Sequence, residues 1–380
     1  MMLATLLMDL TNVEKIATFL IMLSALVVLH EFGHFIMARR SGVRVNEFAV
    51  GFGPKLLKWT SPRTGTTYAL NLLPIGGYCA MQGEDGKSTE AEQQRHALAA
   101  GILEHDPENF QSKGAFTRLG IVLAGPLANF VLTFALLFIA AFAFGVASRQ
   151  EQPIVGPLME GMPAQKAGVQ VGDRILALNG QPVRNGDELV NVIHHSEGKR
   201  LRITFERSGV IFERTLITAT CPPPNPPHQG CIGFQPIPRY ERVPFGTAIV
   251  YAGSSMVDMV QQSVQRLALI VMHPTQYAGS LTGVIGMGRA AATIQDFGWA
   301  PYIDLAAMIS LSLGILNLLP FPALDGGRAA FILAETLRGK PVDPEKEALV
   351  HVAGFAMLMM LMIFVAYHDI AKIVQGKAVF

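Results

Sequence analysis

His30-Glu31-Phe32-Gly33-His34 sets two imidazoles four residues apart with a carboxylate between them. On a helix, residues i and i+4 share a face. His30 and His34 can therefore hold one zinc ion while Glu31 reaches a water beside it, the arrangement of a hydrolytic zinc site. A catalytic zinc takes three protein ligands and keeps the fourth place open, yet no further His or Glu follows soon after the motif. The stretch Asn317–Ala330, NLLPFPALDGGRAA, offers one instead. Asp325 is the first charge after twenty uncharged residues, and Pro320 and Pro322 break the helix just before it. Irregular backbone of this kind is tolerable at membrane depth only beside protein or a water-filled cavity. Alone, Asp325 reads as a helix-end carboxylate at an interface; paired with the two histidines it reads as the third ligand.

The elements that must position these groups are apolar. Half of the 380 residues are hydrophobic and 16% are charged, against roughly a quarter charged in soluble domains. The zinc motif lies inside the run Ile16–Met37, and Leu119–Ala147, Leu305–Leu324 and Ala348–Tyr367 are uncharged runs of bilayer length, the last broken only by His351. A glutamate and two histidines near the middle of a span cost several kcal/mol unless partnered or functional. The first run is read as an anchor and not as a signal peptide, because its basic cluster follows it.

Loop charge orients the four spans. Arg39, Arg40, Arg44, Lys55, Lys58 and Arg63 follow the first span, whereas Lys15 alone precedes it. The 38–118 loop is therefore expected in the cytoplasm and the N-terminus outside. Arg328, Arg338, Lys340 and Lys346 put the next loop on the cytoplasmic side too, which returns the C-terminus outside. Phe245–Met272 carries Asp258, Gln261, Gln262, Gln265 and Arg266 and reads as an amphipathic helix at the outer surface. The net charge of +1 and the lack of a basic stripe argue against nucleic acid.

Residues 148–221 change character. Leu201, Ile203 and Phe205 alternate with polar residues, Ser208-Gly209 turns the chain into Val210–Ala219, Ile175–Leu178 ends at Asn179-Gly180, and Asp187–Ile193 is a short helix. The run Met162–Val183, MPAQKAGVQVGDRILALNGQPV, resembles a PDZ domain. The resemblance implies capture of a peptide C-terminus or extended segment at a sheet edge, with the binding loop near Pro153–Gly156. A proline run (Pro222–Pro224, Pro226, Pro227) then stiffens the exit. Cys221 and Cys231 flank it, either as a disulfide or as two free thiols; Cys79 has no partner.

With HEFGH, GFGPKLLKW (Gly51–Trp59), LPIGGYCAMQGE (Leu73–Glu84), GPLANF (Gly125–Phe130), the PDZ-like stretch and NLLPFPALDGG in one chain, the sequence resembles the site-2 protease family of intramembrane zinc metalloproteases, regulator-of-sigma-E protease type. The resemblance implies Zn2+ on His30, His34 and Asp325, Glu31 as general base, and Asn317 with Pro320 and Pro322 at the substrate strand. It implies cleavage of single-span membrane proteins of the anti-sigma factor kind in the bacterial inner membrane. Gly51–Glu84 would be a membrane-associated β-hairpin whose edge pairs with substrate. TGVIGM at Thr282–Met287 lacks the proline such members carry there, and one PDZ-like stretch stands where the best-known members have two.

The expected architecture is a polytopic α-helical membrane protein with four transmembrane helices, an inserted extracytoplasmic β-rich PDZ domain and a membrane-associated β-hairpin. Its parts are 1–50, 51–118, 119–147, 148–221, 222–300, 301–328, 329–347 and 348–380. The competing reading is a membrane-anchored PDZ scaffold with a structural or vestigial zinc site. Glu31 separates the two, since a structural site closes four ligands and needs no base. A broken-helix transporter fits Pro320 and Pro322 but would carry an internal repeat, and none is found.

Overall fold

The computed structural model describes residues 2–84, 106–148, 153–159, 161–221, 229–237, 239–273, 283–295, 298–339 and 344–374. Residues 222–227 of the proline run, Thr282 and Lys340 lie outside them. The chain forms two compact units, Met1–Leu137 with Ile294–Ile363, and Phe138–Thr293 with Phe364–Phe380.

In the first unit α1 runs Met2–Arg40, with no proline and no glycine before Gly33 to interrupt it. It is followed by β1 (Val45–Thr60), β2 (Thr67–Met81) and α2 (Ala115–Ala143). The hairpin begins at Val45, ahead of the expected Gly51, and it is not a plain ribbon. Val45–Val50 lies opposite Met81–Gly77, Glu47–Val50 also meets Thr67–Leu70, and Lys55–Thr60 meets Asn71–Thr67. Each strand therefore bends back on itself, at Gly51 (φ 80), Gly53 (φ 94) and Gly76 (φ 79), where a side chain would be strained. At the bend Glu47 accepts from Lys55 Nζ and Tyr78 Oη, both at 2.7 Å. Burial works against the Glu47 carboxylate, but these bonds outweigh it and hold its pKa below the ordinary value. Val45, Cys79 and Met81 at the base join Ala38, Ile121 and Ile332 in a buried cluster, while Phe52, Leu56, Leu57 and Trp59 are exposed.

Next along the chain come β3 (Val146–Ser148), β4 (Ile154–Leu158), α3 (Pro163–Lys166), β5 (Arg174–Leu178), β6 (Gln181–Pro182), α4 (Gly186–His194), β7 (Arg200–Arg207), β8 (Val210–Ile217), β9 (Ala219–Thr220), β10 (Gly230–Cys231), β11 (Phe234–Ile237), β12 (Arg239–Glu241), α5 (Phe245–Met272) and α6 (Val284–Gln295). A sheet of order β11-β4-β5-β7-β8, with β6 on β5, buries Val155, Ile175, Leu201, Ile203 and Phe205 against Leu189 of α4. Asn185 caps α4 by accepting from Glu188 N–H, and the Glu188 carboxylate accepts from Arg184 N–H. Asp173, 1% exposed, is held by both Nε and Nη2 of Arg207 at 2.7 Å.

The expected binding loop at Pro153–Gly156 is corrected by the sheet. Val155 N–H donates to Asp173 O, Pro153 O accepts from Ile175 N–H, and β4 has β11 on its other side. A strand paired on both sides cannot take a peptide, so the open edges are β11 and β8. Cys221 and Cys231 are disulfide-bonded.

The chain closes with α7 (Trp299–Leu318), α8 (Asp325–Arg338) and α9 (Pro344–Val374). Among the described residues four helices are long and apolar enough to cross a membrane: Val13–Arg40, Ala115–Ala143, Trp299–Leu318 and Lys346–Ala371. α7 stops six residues short of the expected Leu324, because Pro320 and Pro322 supply no N–H and disfavour helix in the residues before them. Residues 325–338, expected to run from the span into a loop, are a helix with Asp325 in its first turn and Gly339 (φ 64) closing its C-terminus.

α1 and α2 approach through small residues. A Cβ on Gly33 would collide with the Ala124 carbonyl and meet Ala128 Cβ at 2.8 Å. Gly33→Ala is therefore expected to destabilise the protein by about 1–3 kcal/mol through overpacking. Unfolding of the full chain in detergent measures this; parental stability would mean that the helices do not meet there.

Candidate metal centre

The helix crossing sets the register of the site. His30 and His34 are one turn apart on α1, and Gly125 and Asn129 are one turn apart on α2. The His34 ring lies against Gly125, where any Cβ would occupy the place of the ring. His34 Nδ1–H donates to the Ile121 carbonyl at 2.9 Å. Pro126 removes the helical bond to Val122 O in that same turn. His30 Nδ1 faces the Asn129 side-chain amide at 3.1 Å. Both histidines are buried, at 7% and 6% exposure.

Asp325 reaches them from α8. Its Oδ2 lies 3.1 Å from His30 Nε2 and 3.3 Å from His34 Nε2, and the two Nε2 atoms are 3.3 Å apart. Zinc bonds of about 2.0–2.1 Å at tetrahedral angles put neighbouring ligand atoms about 3.3 Å apart. The triangle has that size. Asp325 Oδ2 is also buried without a well-aligned hydrogen bond. The three atoms thus crowd together without satisfying one another, as lone pairs aimed at one point do. Two imidazoles and one carboxylate fit zinc with one position open.

Glu31 is half-buried beside them, its carboxylate in the field of His34, His30 and Asp325. Asn317 occupies the last turn of α7, and its side chain has no hydrogen-bond partner among the described residues. Pro320 is exposed, and Pro322 rests against Gly354 of α9. The structure thus gathers His30, His34, Glu31 and Asp325, while Asn317, Pro320 and Pro322 belong to the approach to Asp325. Gly326 and Gly327 shape that approach. A Cβ on either would collide with the Leu318–Leu319 or Phe321 carbonyls, so glycine lets the first turn of α8 rest on the preceding segment. Cys79 is free and buried, and burial pushes its thiol pKa up, so it is no competing thiolate.

Asn129 and Gly125 are residues that sequence reasoning left without a role. Their signal was present: a side-chain amide in an otherwise apolar span needs a partner. Asn129 is fully buried, and its backbone carbonyl also accepts from Thr133 Oγ1 (2.8 Å) and Ser310 Oγ (3.0 Å), tying α2 to α7.

Two histidines and a carboxylate spaced as three corners of a tetrahedron, with a glutamate at hand and the motif on a bilayer-length helix, have the make-up of a zinc hydrolase site. The chain belongs to peptidase family M50, whose pattern it matches over residues 18–361, and it is a zinc metalloprotease. The zinc metalloprotease RasP of Bacillus licheniformis is 31% identical over 427 residues, covering 95% of this chain and 99% of that protein. The regulator of sigma-W protease RasP of Bacillus subtilis is 29% identical over 428 residues, with the same coverages. The PDZ domain of an SdrC-like protein from Listeria monocytogenes aligns with 24% of this chain and 94% of its own at 16% identity and a TM-score of 0.21.

A neutral His30 that offers Nε2 to a metal carries its proton on Nδ1, so the Asn129 amide must turn its oxygen toward it. That oxygen otherwise has no partner. Asn129→Leu is expected to weaken zinc binding roughly 10–100-fold, the usual cost of losing such a partner, while Asn129→Asp retains it. Competition with a chromophoric chelator reads both; parental affinity in the Leu variant would contradict the pairing.

Proposed function

We propose that the protein is an intramembrane endopeptidase that cuts within the transmembrane segment of single-span membrane proteins, with an anti-sigma factor as the substrate class. One observation carries this reading: the ligand pair and Glu31 lie within the apolar helix Val13–Arg40. Hydrolytic groups at that depth are useful only if the bond to be cut is there too. The sigma-factor connection is supported by the Bacillus subtilis relative named as a regulator of sigma-W protease.

In this reading His30, His34 and Asp325 hold Zn2+. Bound there, zinc supplies Lewis acidity that polarises a scissile carbonyl and acidifies a water. The Glu31 carboxylate takes the proton of the attacking water and delivers it to the leaving amide nitrogen. The Asn317 side-chain amide donates to the substrate strand, which Pro320 and Pro322 keep apart from regular helix. A helix hides its peptide bonds, so the substrate must be drawn out into a strand. The hairpin β1–β2 offers an edge for that, its exposed Phe52, Leu56, Leu57 and Trp59 lying in membrane lipid.

The topology that serves this chemistry has both termini extracytoplasmic in the bacterial inner membrane. It places the hairpin side and the 329–347 segment in the cytoplasm, and the PDZ-like domain outside, taking a peptide C-terminus or an extended segment. Cysteines placed singly at 55 and 338 are expected to label from the cytoplasmic side and one at 207 from outside; the reverse pattern at 338 would break the scheme.

Glu31→Gln keeps the size of the side chain but cannot accept a proton. It should bind zinc at the parental stoichiometry and cut roughly a hundredfold to ten-thousandfold more slowly. Cleavage at the parental rate by that variant would remove Glu31 from the mechanism.

A further inference from the structure

His351 is the one imidazole in the apolar run Ala348–Tyr367, and an ionisable residue in a span wants an explanation. The backbone between α7 and α8 supplies one. Leu319 N–H donates to Leu316 O at 3.1 Å, Phe321 N–H to Leu319 O at 2.7 Å, and Leu324 N–H to Phe321 O at 3.1 Å. Pro320 and Pro322 have no N–H to satisfy. Of these donors only the Ala323 N–H bonds outside both α7 and this segment, and it donates to His351 Nδ1 at 2.9 Å.

Ala323 is also the strained residue of the segment. Its φ is 75, left-handed backbone that costs a residue with a Cβ about 1–2 kcal/mol. One turn further along α9, Gly354 lies against Pro322, where a Cβ would collide. α9 therefore grips the segment at two adjacent residues, Pro322 through contact and Ala323 through a hydrogen bond. Two residues on, Asp325 begins α8 and aims Oδ2 at the two histidines.

We infer that His351 is a positioning residue of the metal site: it holds Ala323 in the left-handed conformation that sets the direction of Asp325. The fourth apolar helix thereby becomes part of the site, although it offers no ligand to it. The inference rests on the reading of Asp325 as a zinc ligand. Because Nδ1 accepts, the ring proton sits on Nε2, which is buried 3.8 Å from Glu347 Oε1. The group needed at this place is a neutral acceptor at the Nδ1 position.

The test uses the full chain in detergent with zinc and cobalt(II) as probes. His351→Asn places its oxygen near the Nδ1 position and is expected to keep parental zinc affinity and cobalt absorption. His351→Gln places its oxygen further out, and His351→Leu has none. Both should lose affinity roughly tenfold or more, with a shifted cobalt spectrum. Adding Ala323→Gly to either should restore much of the loss, since glycine takes φ 75 without strain. A general packing defect would respond to neither the acceptor position nor the glycine. Parental zinc affinity and spectrum in both the Gln and Leu variants would overturn the inference, as would a loss that neither Asn nor the added glycine repairs. Asp325→Ala serves as reference. If it keeps zinc, the ligand reading itself fails; if it loses zinc while His351→Leu does not, only the role of His351 falls.

Discussion

The close approach of α1 to α2 is what the metal centre depends on. Gly33 lies against the Ala124 carbonyl, and Gly125 leaves room for the His34 ring. With the helices that near, His34 reaches the Ile121 carbonyl and His30 reaches Asn129. Each imidazole thereby has its Nδ1 engaged and its Nε2 turned to the same point. Both rings are buried, so these partners, and not solvent, fix both orientation and tautomer. The buried polar atoms of α1, α2 and α7 form one network, with Asn129 meeting a ligand through its side chain and Thr133 and Ser310 through its carbonyl.

The third corner is built differently. Asp325 stands at the start of a helix whose approach contains two prolines and a left-handed alanine and whose first turn packs two glycines on carbonyls. Such a segment would be costly unless its donors were satisfied, and the N–H groups of Leu319, Phe321, Ala323 and Leu324 each have a partner. Irregular backbone here frees the end of α7, where the Asn317 side-chain amide has no partner among the described residues, and turns a carboxylate back toward α1. A continuous helix could not do both.

Much of the site could be read from the chain because its chemistry is local. HEFGH needs only helical spacing, and Asp325 stands out as the first charge after a long apolar run. Asn129 and His351 were visible as polar residues in apolar spans, but their partners lie in other helices and spacing does not name them. The α8 helix carried its own signals, an acidic first turn and a closing Gly339, hidden by reading the span through to Leu324. In the β-rich region the alternation of Leu201, Ile203 and Phe205 gave strands correctly, but alternation says nothing of strand order. Placing β4 inside the sheet is what moves the open edge from Pro153–Gly156 to β11 or β8. The hairpin was expected from the family resemblance, whereas its doubling back depends on glycines at Gly51, Gly53 and Gly76 acting together.

The chain is a zinc metalloprotease whose two candidate histidine ligands lie within an apolar helix, and the central claim is that it cuts peptide bonds at that depth. The most direct measurement is the mass of the products released from a single-span membrane protein by the purified full chain, with zinc present and with zinc chelated. New termini inside the apolar segment of the substrate, seen only with zinc, are what the account predicts. Termini confined to the loops flanking that segment, or cleavage that persists under chelation, would contradict it.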